Sequence, residues 1–438
     1  MADKRITELN ATTTPIGDDL LPIVTDVAGV AITKKITLGN LTKAFSVTVS
    51  TDGSGGYNCD GVSDDVQIQA ALDAVYTAGG GTVLIKAGTY IVDTELEYRD
   101  NTRIIGEGRG ATIIKLVDSS SIGTAAWGII APWGYGSGNP HAPVGDNVPL
   151  ASHVTIAHLS VDGNVANNGS AFYECIVMMQ VKDGTIYDCE THDAREVGIN
   201  TDANNYYYAG DPEYWSVRVE NCYSHDNLAE GYQVSSGSFA NCVAYNNSGS
   251  GFNFVSNGRL GNYSGATCTG CIAYNNGSSG FVKEYQSGAN EFPITFTGCV
   301  SINNGYGFRL GLTHGTFCGN IAAYNKGDGV ILVGKFNSII GNMIKCNGQD
   351  PTFDPTWNRN SGFTFWDDTA SYNVISGNTI FDDQVSPTQE YGITYSVTFT
   401  APEGDLIVNN VFDGNKTDPI ESTVEAKVTI GTNVGYTP

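Results

Sequence analysis

Three acidic side chains stand close to glycines that recur along the chain. Asp202 and Glu284 each lie four residues after such a glycine, and Glu230 directly precedes one. If the glycines stack, carboxylates on neighbouring units can come within roughly 5 Å or roughly 6.5–9.5 Å of each other, the separations used in retaining and inverting glycoside hydrolysis. We therefore predict Asp202 and Glu230 as an acid–base pair, with Glu284 in reserve. The alternative for each residue is a solvated surface charge.

Two histidine–aspartate pairs occupy matching places in the sequence. His192 is followed by Asp193, and His225 by Asp226. Such pairs could transfer protons, but we favour a structural role as members of a stacked ladder. The sequence contains neither an EF-hand loop nor a calcium-binding nonapeptide repeat. No metal or other cofactor is therefore expected, although a structural or substrate-bridging Ca²⁺ stays open as an alternative.

A repeated unit must position these side chains. It consists of an apolar stretch, usually a cysteine, a polar turn, a glycine and a short strand, and it recurs every 20 to 30 residues. The copies read CETHDAREVGINTD from Cys189, CYSHDNLAEGYQVS from Cys222, CVAYNNSGSGFNFV from Cys242, CIAYNNGSSGFVKE from Cys271, CVSINNGYGFRL from Cys299 and IAAYNKGDGVILV from Ile321. Self-similarity of this kind indicates a solenoid.

The repeat predicts an all-β fold, a right-handed single-stranded parallel β-helix. Its strands are short, Asn- and Gly-rich turns separate them, and no helical pattern intervenes. Coils stacked roughly 4.8 Å apart would place equivalent residues above one another. The cysteines would then form an inward ladder of reduced thiols, with disulfides possible but not implied, and the Asn-Asn corners would bond along the stack. Tyr245, Tyr274 and Tyr324 should stack above His225 and His192.

The residues ahead of the repeat predict a lid and an arm. In DGVSDDVQIQAALDAV, Asp64 and Asp65 are placed to cap a helix, and Ile68, Ala71, Leu72 and Val75 share one face. Such a helix would cover the open end of the solenoid. We divide the chain into an N-terminal arm (1–47), a β-helix entry with the capping helix (48–120), the main β-helix (121–400) and a last coil with the tail (401–438).

Composition excludes several classes of partner. The chain has 22 basic and 46 acidic residues and a formal net charge of −24, whereas phosphate binding needs an excess of Lys and Arg. The same charge disfavours anionic membrane surfaces. The first residues contain no apolar signal-peptide core, and no apolar run is long enough to span a bilayer. We therefore expect no nucleic-acid partner, no membrane segment and no classical signal peptide.

Three resemblances follow from these motifs. ITELNATTTPIGDDLLPIVTD with KKITLGNL resembles the N-terminal segment of phage tailspikes and tail fibres. DGVSDDVQIQAALDAV with GGGTVLIKAGTY resembles the entry to the pectate-lyase-like β-helix superfamily. THDAREVGI, SHDNLAEGYQV, CVAYNNSGSGFNFVSN and CIAYNNGSSGFV resemble the β-helical catalytic module of mannuronan C-5 epimerases. They imply a virion-associated or extracellular protein, a poly- or oligosaccharide ligand, attachment to virion tail proteins through the arm, and a monomer or homotrimer.

The chain departs from the epimerase pattern where that family handles protons. The family's tyrosine, aspartate and histidine are replaced by Val197, Asn200 and Asp202, and its later Arg-His by Gly249-Ser250. Without the acid and the base, little proton transfer at a sugar carbon is expected. The resemblance therefore implies a retained sugar groove with different chemistry.

The implied groove supplies our candidates for substrate binding. A Tyr-rich insertion after Asp202 could stack on sugar rings or plug against the wall. The predicted binding residues are Asn200, Gln233, Asn253, Lys283, Arg309, Arg195, Tyr206, Tyr207, Tyr208 and Trp215. We rank a glycoside hydrolase first. The alternatives are a uronate lyase, which Lys283 and Arg309 would suit, then a non-catalytic glycan-binding adhesin, and last a true epimerase.

Overall fold

The computed structural model of the chain describes residues 20–27, 30–37, 45–122, 128–134, 151–169, 172–201, 217–234, 237–255, 265–283, 293–354, 359–366, 370–395, 404–421 and 428–436. Three long parallel sheets of 15, 12 and 12 strands run through it, which we call sheets 1, 2 and 3. Each full coil contributes one strand to each sheet in turn, as in 184–187, 190–192 and 199–201. The predicted parallel β-helix is confirmed.

Most strands are only three to five residues long, and they pair in parallel from coil to coil.
Sheet 1 contains Ser46–Ser50, Tyr57–Asn58, Gly81–Ile85, Thr102–Ile105, Thr155–Ala157, Gly184–Tyr187, Val217–Glu220, Gly237–Ala240, Ala266–Thr269, Thr295–Thr297, Thr316–Cys318, Ser338–Ile340, Val374–Ser376, Leu406–Val408 and Thr429–Ile430.
Sheet 2 contains Gly88–Val92, Thr112–Leu116, Ser160–Asp162, Glu190–His192, Tyr223–His225, Val243–Tyr245, Ile272–Tyr274, Val300–Ile302, Ile321–Ala323, Met343–Lys345, Thr379–Phe381 and Val411–Asp413.
Sheet 3 contains Leu96–Tyr98, Gly128–Pro132, Glu174–Val177, Ile199–Thr201, Tyr232–Val234, Phe252–Phe254, Ser279–Lys283, Tyr306–Gly311, Val330–Val333, Phe363–Phe365, Tyr391–Tyr395 and Asp418–Ile420.

Four further strands and two helical segments complete the described elements. Ala151–Ser152 and Val181–Lys182 form a short parallel pair, and a 3₁₀ helix spans Val165–Asn167. Helix α1 spans Asp65–Thr77. In the predicted arm, Leu20–Val27 and Val30–Thr37 pair antiparallel as a hairpin. None of the helices described is long and apolar enough to cross a membrane.

Aromatic side chains stack along the inside of the coils. The rings of Tyr232, Phe252, Phe281 and Phe308 lie parallel, with centroid separations of 4.5, 4.8 and 4.7 Å. The predicted cysteine ladder is confirmed, because the repeat cysteines are all buried and none is in a disulfide. Burial raises the pKa of Cys222 and Cys271 well above the ordinary value, whereas hydrogen bonds with Cys268 and Cys271 lower the pKa of Cys299 to about 4.

The predicted asparagine corners are also confirmed. The side-chain amide of Asn247 donates to Asn276 Oδ1 at 2.9 Å, and that of Asn276 donates to Asn304 Oδ1 at 2.9 Å. Each amide also binds backbone, as Asn276 Nδ2 does with the carbonyl of Ala244 at 3.1 Å. These residues are almost fully buried, so the ladder satisfies polar groups that would otherwise lack partners.

Helix α1 packs on the first coil through the predicted face. Ile68, Ala71, Leu72 and Val75 are all buried. Asp64 occupies the N-cap position, but its side chain makes no capping hydrogen bond. Its carboxylate instead accepts hydrogen bonds from the backbone N–H groups of the preceding loop and of a sheet 2 strand. Asp64 therefore fastens the helix to the coil. Whether the helix seals the open end is not tested and stays a prediction.

The prediction that Tyr324 continues the outward tyrosine stack is wrong. Tyr274 pairs with Ile302, and Ile302 pairs with Ala323, so Tyr324 lies one residue beyond that row. Its backbone is left-handed, with φ of 55°, at a corner where earlier coils have asparagine or aspartate.

The repeat slips by one residue in this coil. Val300 pairs with Ile321, which places Asn320 rather than Ile321 opposite Cys299. The backbone N–H of Cys299 donates to Asn320 Oδ1 at 2.8 Å. The inward cysteine ladder thus continues as a second asparagine ladder.

Candidate functional site on the outer face of sheet 3

One outward row of sheet 3 carries several of the predicted binding residues. Val177, Asn200, Gln233, Asn253 and Val282 occupy equivalent positions on successive coils. Arg309 follows in the same row, next to Val282. The pleat places this row on the opposite face from the inward aromatic stack. The structure therefore brings Asn200, Gln233 and Asn253 together as one polar strip.

A second column of residues lies beside this strip, where the strands of sheet 3 begin. It contains two carboxylates. Glu174 and Glu230 are equivalent residues two coils apart, with Val197 on the coil between them. Asn200 Nδ2 donates to Glu174 Oε1 at 2.7 Å, and Asn253 Nδ2 donates to Glu230 Oε1 at 3.4 Å. Each carboxylate is thus held by an asparagine of the next coil, and both are half-buried.

Sequence reasoning missed Glu174. Its coil lacks the repeat glycine, because Cys175 stands where other coils have Gly198 or Gly231. A sequence pattern that could have revealed Glu174 was nevertheless present, since Glu174-Cys175-Ile176 matches Glu230-Gly231-Tyr232 position for position.

The three predicted basic residues lie in different environments. Arg309 is exposed in the outward row. Lys283 aligns with Phe254 and Leu310, a row of core residues, and is half-buried. Arg195 is half-buried in the turn before sheet 3, where its charge opposes the rise that burial causes in the pKa of Glu196. Only Arg309 shares the outward row with the asparagines.

Several predicted site residues lie outside the described part of the chain. They are Asp202, Glu284, Tyr206, Tyr207, Tyr208 and Trp215. Their proposed roles as acid–base groups and sugar-stacking rings stay predictions.

Another carboxyl at the beginning of sheet 3 has a raised pKa. Burial raises the pKa of Glu95 to about 9, the charge of Glu97 adds to the rise, and a backbone hydrogen bond from Gly128 opposes it. Gly128 is the strand partner of Glu174. Glu95 therefore lies near one end of the column that contains Glu174 and Glu230.

The predicted histidine ladder lies on the outer face of sheet 2, away from this strip. The rings of His192 and His225 stack at 5.2 Å, and His225 stacks on Tyr245 at 4.4 Å. Each histidine Nδ1 lies 2.7 Å from the carboxylate of the aspartate that follows it. The ladder prediction is confirmed, and these contacts favour a structural role.

Among the described residues, Asp162, His192 and Asp193 could together hold a metal ion, since their ligand atoms lie within 4.8 Å of one another. Lys115 Nζ, however, lies 2.6 Å from Asp162 Oδ2. The ammonium group already neutralises that carboxylate, which favours an ion-paired structural cluster.

The repeats are similar to several known proteins. Residues 217–429 match the family model described as periplasmic copper-binding protein (NosD). The mannuronan C5-epimerase AlgE6 of Azotobacter vinelandii is 33% identical over 213 residues, which are 45% of this chain and 22% of AlgE6. Alginate lyase 7 of the same organism is 32% identical over 218 residues, 46% of this chain and 22% of the lyase. The chain thus spans about a fifth of these relatives' length.

Solved structures share the architecture. The A-module of mannuronan C-5 epimerase AlgE4 from Azotobacter vinelandii aligns with a TM-score of 0.67 and 24% identity, over 88% of this chain and 100% of the module. Tailspike protein gp49 of the Acinetobacter baumannii bacteriophage Fri1, a capsular polysaccharide depolymerase, aligns with a TM-score of 0.53 and 13% identity, over 97% of this chain and 67% of gp49. The predicted resemblance to epimerase repeats and to tailspike β-helices is confirmed at the level of fold.

Proposed function

We propose that this chain binds a polysaccharide along the outer face of sheet 3 and cleaves it by carboxylate acid–base chemistry. The similar proteins named above include an epimerase, a lyase and a depolymerase, all of which act on polysaccharides. The observation that supports cleavage here is the aligned pair Glu174 and Glu230, each held by an asparagine of the next coil.

The spacing of the pair suits hydrolysis with inversion. Two coil steps of about 4.8 Å put equivalent backbone positions roughly 9–10 Å apart, and flexible side chains can bring the carboxyls into the inverting range of roughly 6.5–9.5 Å. Val197 between them is apolar and carries no competing charge. Val197 itself is buried, so a sugar ring and the attacking water would have to lie outside it, between the two carboxyls.

The hydrogen bonds suggest which carboxyl takes which role. Glu174, to which Asn200 donates at 2.7 Å, would act as the base that removes a proton from the attacking water. Glu230, with the longer bond from Asn253, would give its proton to the leaving glycosidic oxygen. The water oxygen bonds to the anomeric carbon as the glycosidic bond breaks, and exchange with solvent restores both groups. A pair formed by Asp202 and Glu230, with Glu284 in reserve, is the alternative from sequence.

A uronate lyase is the second candidate. Exposed Arg309 in the outward row could neutralise a uronate carboxylate, and alginate lyase 7 is among the similar proteins. A lyase forms an unsaturated uronate and consumes no water, so its product separates the two candidates.

Product analysis on a panel of neutral and uronate-containing polysaccharides tests the proposal. We expect new reducing ends without the ultraviolet absorbance of an unsaturated uronate. Glu174→Gln and Glu230→Gln should each lower turnover by roughly 10²- to 10⁴-fold while sugar binding persists. Glu220→Gln, the same substitution on sheet 1, is the matched control and should leave turnover unchanged.

Other outcomes select the alternatives. Absorbing products that depend on Arg309 would indicate a lyase, and binding without products would indicate an adhesin. Loss of turnover in Asp202→Asn but not in Glu174→Gln would move the acid–base pair to Asp202 and Glu230.

A further inference from the structure

The outer surface along the edge between sheets 1 and 2 carries no charge over a long stretch of described coils. It is formed by both outward rows of sheet 1 and the first outward row of sheet 2, and we call it the neutral face. Its residues are Ser238, Ala240, Val243, Thr267, Thr269, Ile272, Thr295, Thr297, Val300, Thr316, Cys318, Ile321, Ser338, Ile340, Met343, Val374, Ser376, Thr379, Leu406, Val408 and Val411.

Large apolar side chains on this face are open to water. Ile340 is 42% exposed and Val374 is 38% exposed, and Ile272, Met343 and Val411 are similar. Scattered exposed apolar residues are ordinary on a protein surface, but a contiguous apolar patch indicates an interaction site. Here the register joins them into one continuous strip.

Charge distinguishes the neutral face from the same rows on earlier coils. Arg218 and Glu220 occupy the two outward positions of sheet 1 on the coil before Ser238 and Ala240, and Arg103 occupies one of them further back. The chain as a whole has 46 acidic and 22 basic residues. Beyond Arg218 and Glu220, the described residues of these rows carry no charge.

We propose that the neutral face binds a second copy of this chain. Two chains of net charge −24 repel each other wherever their acidic surfaces meet, so an uncharged strip is where they can approach at least cost. A basic partner would instead be drawn to the acidic surfaces. A sugar would find no aromatic ring in these rows to stack on.

The dimensions of the face suit self-association. At about 4.8 Å per coil the strip is roughly 29 Å long, and with three rows of side chains it offers roughly 600–700 Å², close to the ~800 Å² per partner of a standard interface. Its β-branched and small side chains repeat with the coil spacing. A strip with that regular repeat can interdigitate with a copy of itself.

Sedimentation equilibrium or light scattering of the full chain tests this inference. We expect a mass that is a multiple of one chain at micromolar concentration. Thr295→Glu places a charge on the face and should raise the dissociation constant at least tenfold. Thr185→Glu is the matched control, because Thr185 occupies the same outward row on an earlier coil outside the neutral face and is also half-exposed.

A second variant, Ile340→Glu, should dissociate the assembly in the same way, and circular dichroism checks that each variant keeps its fold. A single-chain mass at every accessible concentration would overturn the inference. So would an assembly that neither variant weakens, or one that the Thr185 control weakens equally. Loss of polysaccharide binding in Thr295→Glu at unchanged mass would assign the face to sugar and also overturn it.

Discussion

Replacing Glu190 by glutamine should loosen the contact between two neighbouring coils of sheet 2 in a pH-dependent way. Glu190 Oε1 lies 3.3 Å from His225 Nε2, and its other oxygen accepts a hydrogen bond from Ser160 at 2.7 Å. The hydrogen bond from His225 lowers the pKa of Glu190 to about 2, although burial opposes the shift. Burial also lowers the pKa of His225, but hydrogen bonds with Glu190 and Asp226 raise it above the ordinary value.

The structure sets the magnitude of the effect. A pKa lowered from 4.5 to about 2 corresponds to at most about 3.5 kcal/mol of stability at about 1.4 kcal/mol per unit. The Glu190 side chain is 30% exposed and that of His225 is 13% exposed, so solvent screens part of the interaction. We therefore expect Glu190→Gln to cost about 1–2 kcal/mol at the best pH.

The pH window follows from the direction of the two shifts. The contribution of Glu190 is complete above its unfolded pKa of 4.5 and is lost as pH falls through about 2. The contribution of His225 is complete below its unfolded pKa of 6.5 and is lost as pH rises through its raised folded value. The pair is strongest between these limits, near pH 5.5, and weaker on both sides.

Hydrogen exchange followed by mass spectrometry measures this locally. After correction for intrinsic rates, amides in Glu190–His192 and Tyr223–His225 should exchange roughly 5- to 30-fold faster in Glu190→Gln at pH 5.5. The difference should shrink at pH 9 and at pH 2. Glu220→Gln on sheet 1 is the control. An effect that is independent of pH, or largest at pH 9, would refute the ion-pair argument.

Three further substitutions test the ladders and the strained corner. Asn276→Ala should cost about 3–5 kcal/mol in urea unfolding, because it leaves several buried partners of the ladder without hydrogen bonds; the exposed neighbour Asn275→Gly should cost less than about 1 kcal/mol. Tyr324→Asn should raise the free energy of unfolding by about 0.5–1 kcal/mol, because asparagine tolerates the left-handed backbone that tyrosine strains; an unchanged or lower free energy of unfolding would contradict this. Cys242→Ser should cost about 1–3 kcal/mol through a buried, poorly satisfied hydroxyl, and a fall in turnover of the folded fraction would show that the thiol does chemistry.

The fold was predictable because its inward positions repeat. A buried thiol or amide on one coil packs against the same group on the next coil. The recurrence of cysteine at Cys222, Cys242 and Cys271 therefore indicates the stacking from the sequence alone. The one-residue slip at Asn320 was not predictable from the phrase IAAYN alone. There the cysteine ladder changes to asparagine, and only the backbone pairing reveals which residue has taken its place.

The candidate site was less predictable, because its geometry depends on contacts between distant residues. Asn200 and Asn253 were chosen as sugar ligands, yet each donates to a carboxylate on the preceding coil, 26 and 23 residues away along the chain. Asp64 shows the same limit at helix α1. It looks like a capping residue in sequence, but its carboxylate binds a strand 27 residues away.

The coil-to-coil register also bears on how such a chain can evolve. Val243 and Ile272 occupy the same position on successive coils. Val243 directly follows the buried Cys242 in the chain, and Ile272 directly follows the buried Cys271. Recombination that removes or duplicates residues 243–271 would join a cysteine to a residue already suited to follow it, and every ladder would keep its alignment. The length of the molecule, and with it the reach of any surface that runs along its axis, can thus change by whole coils in one genetic step, without a new core having to be selected.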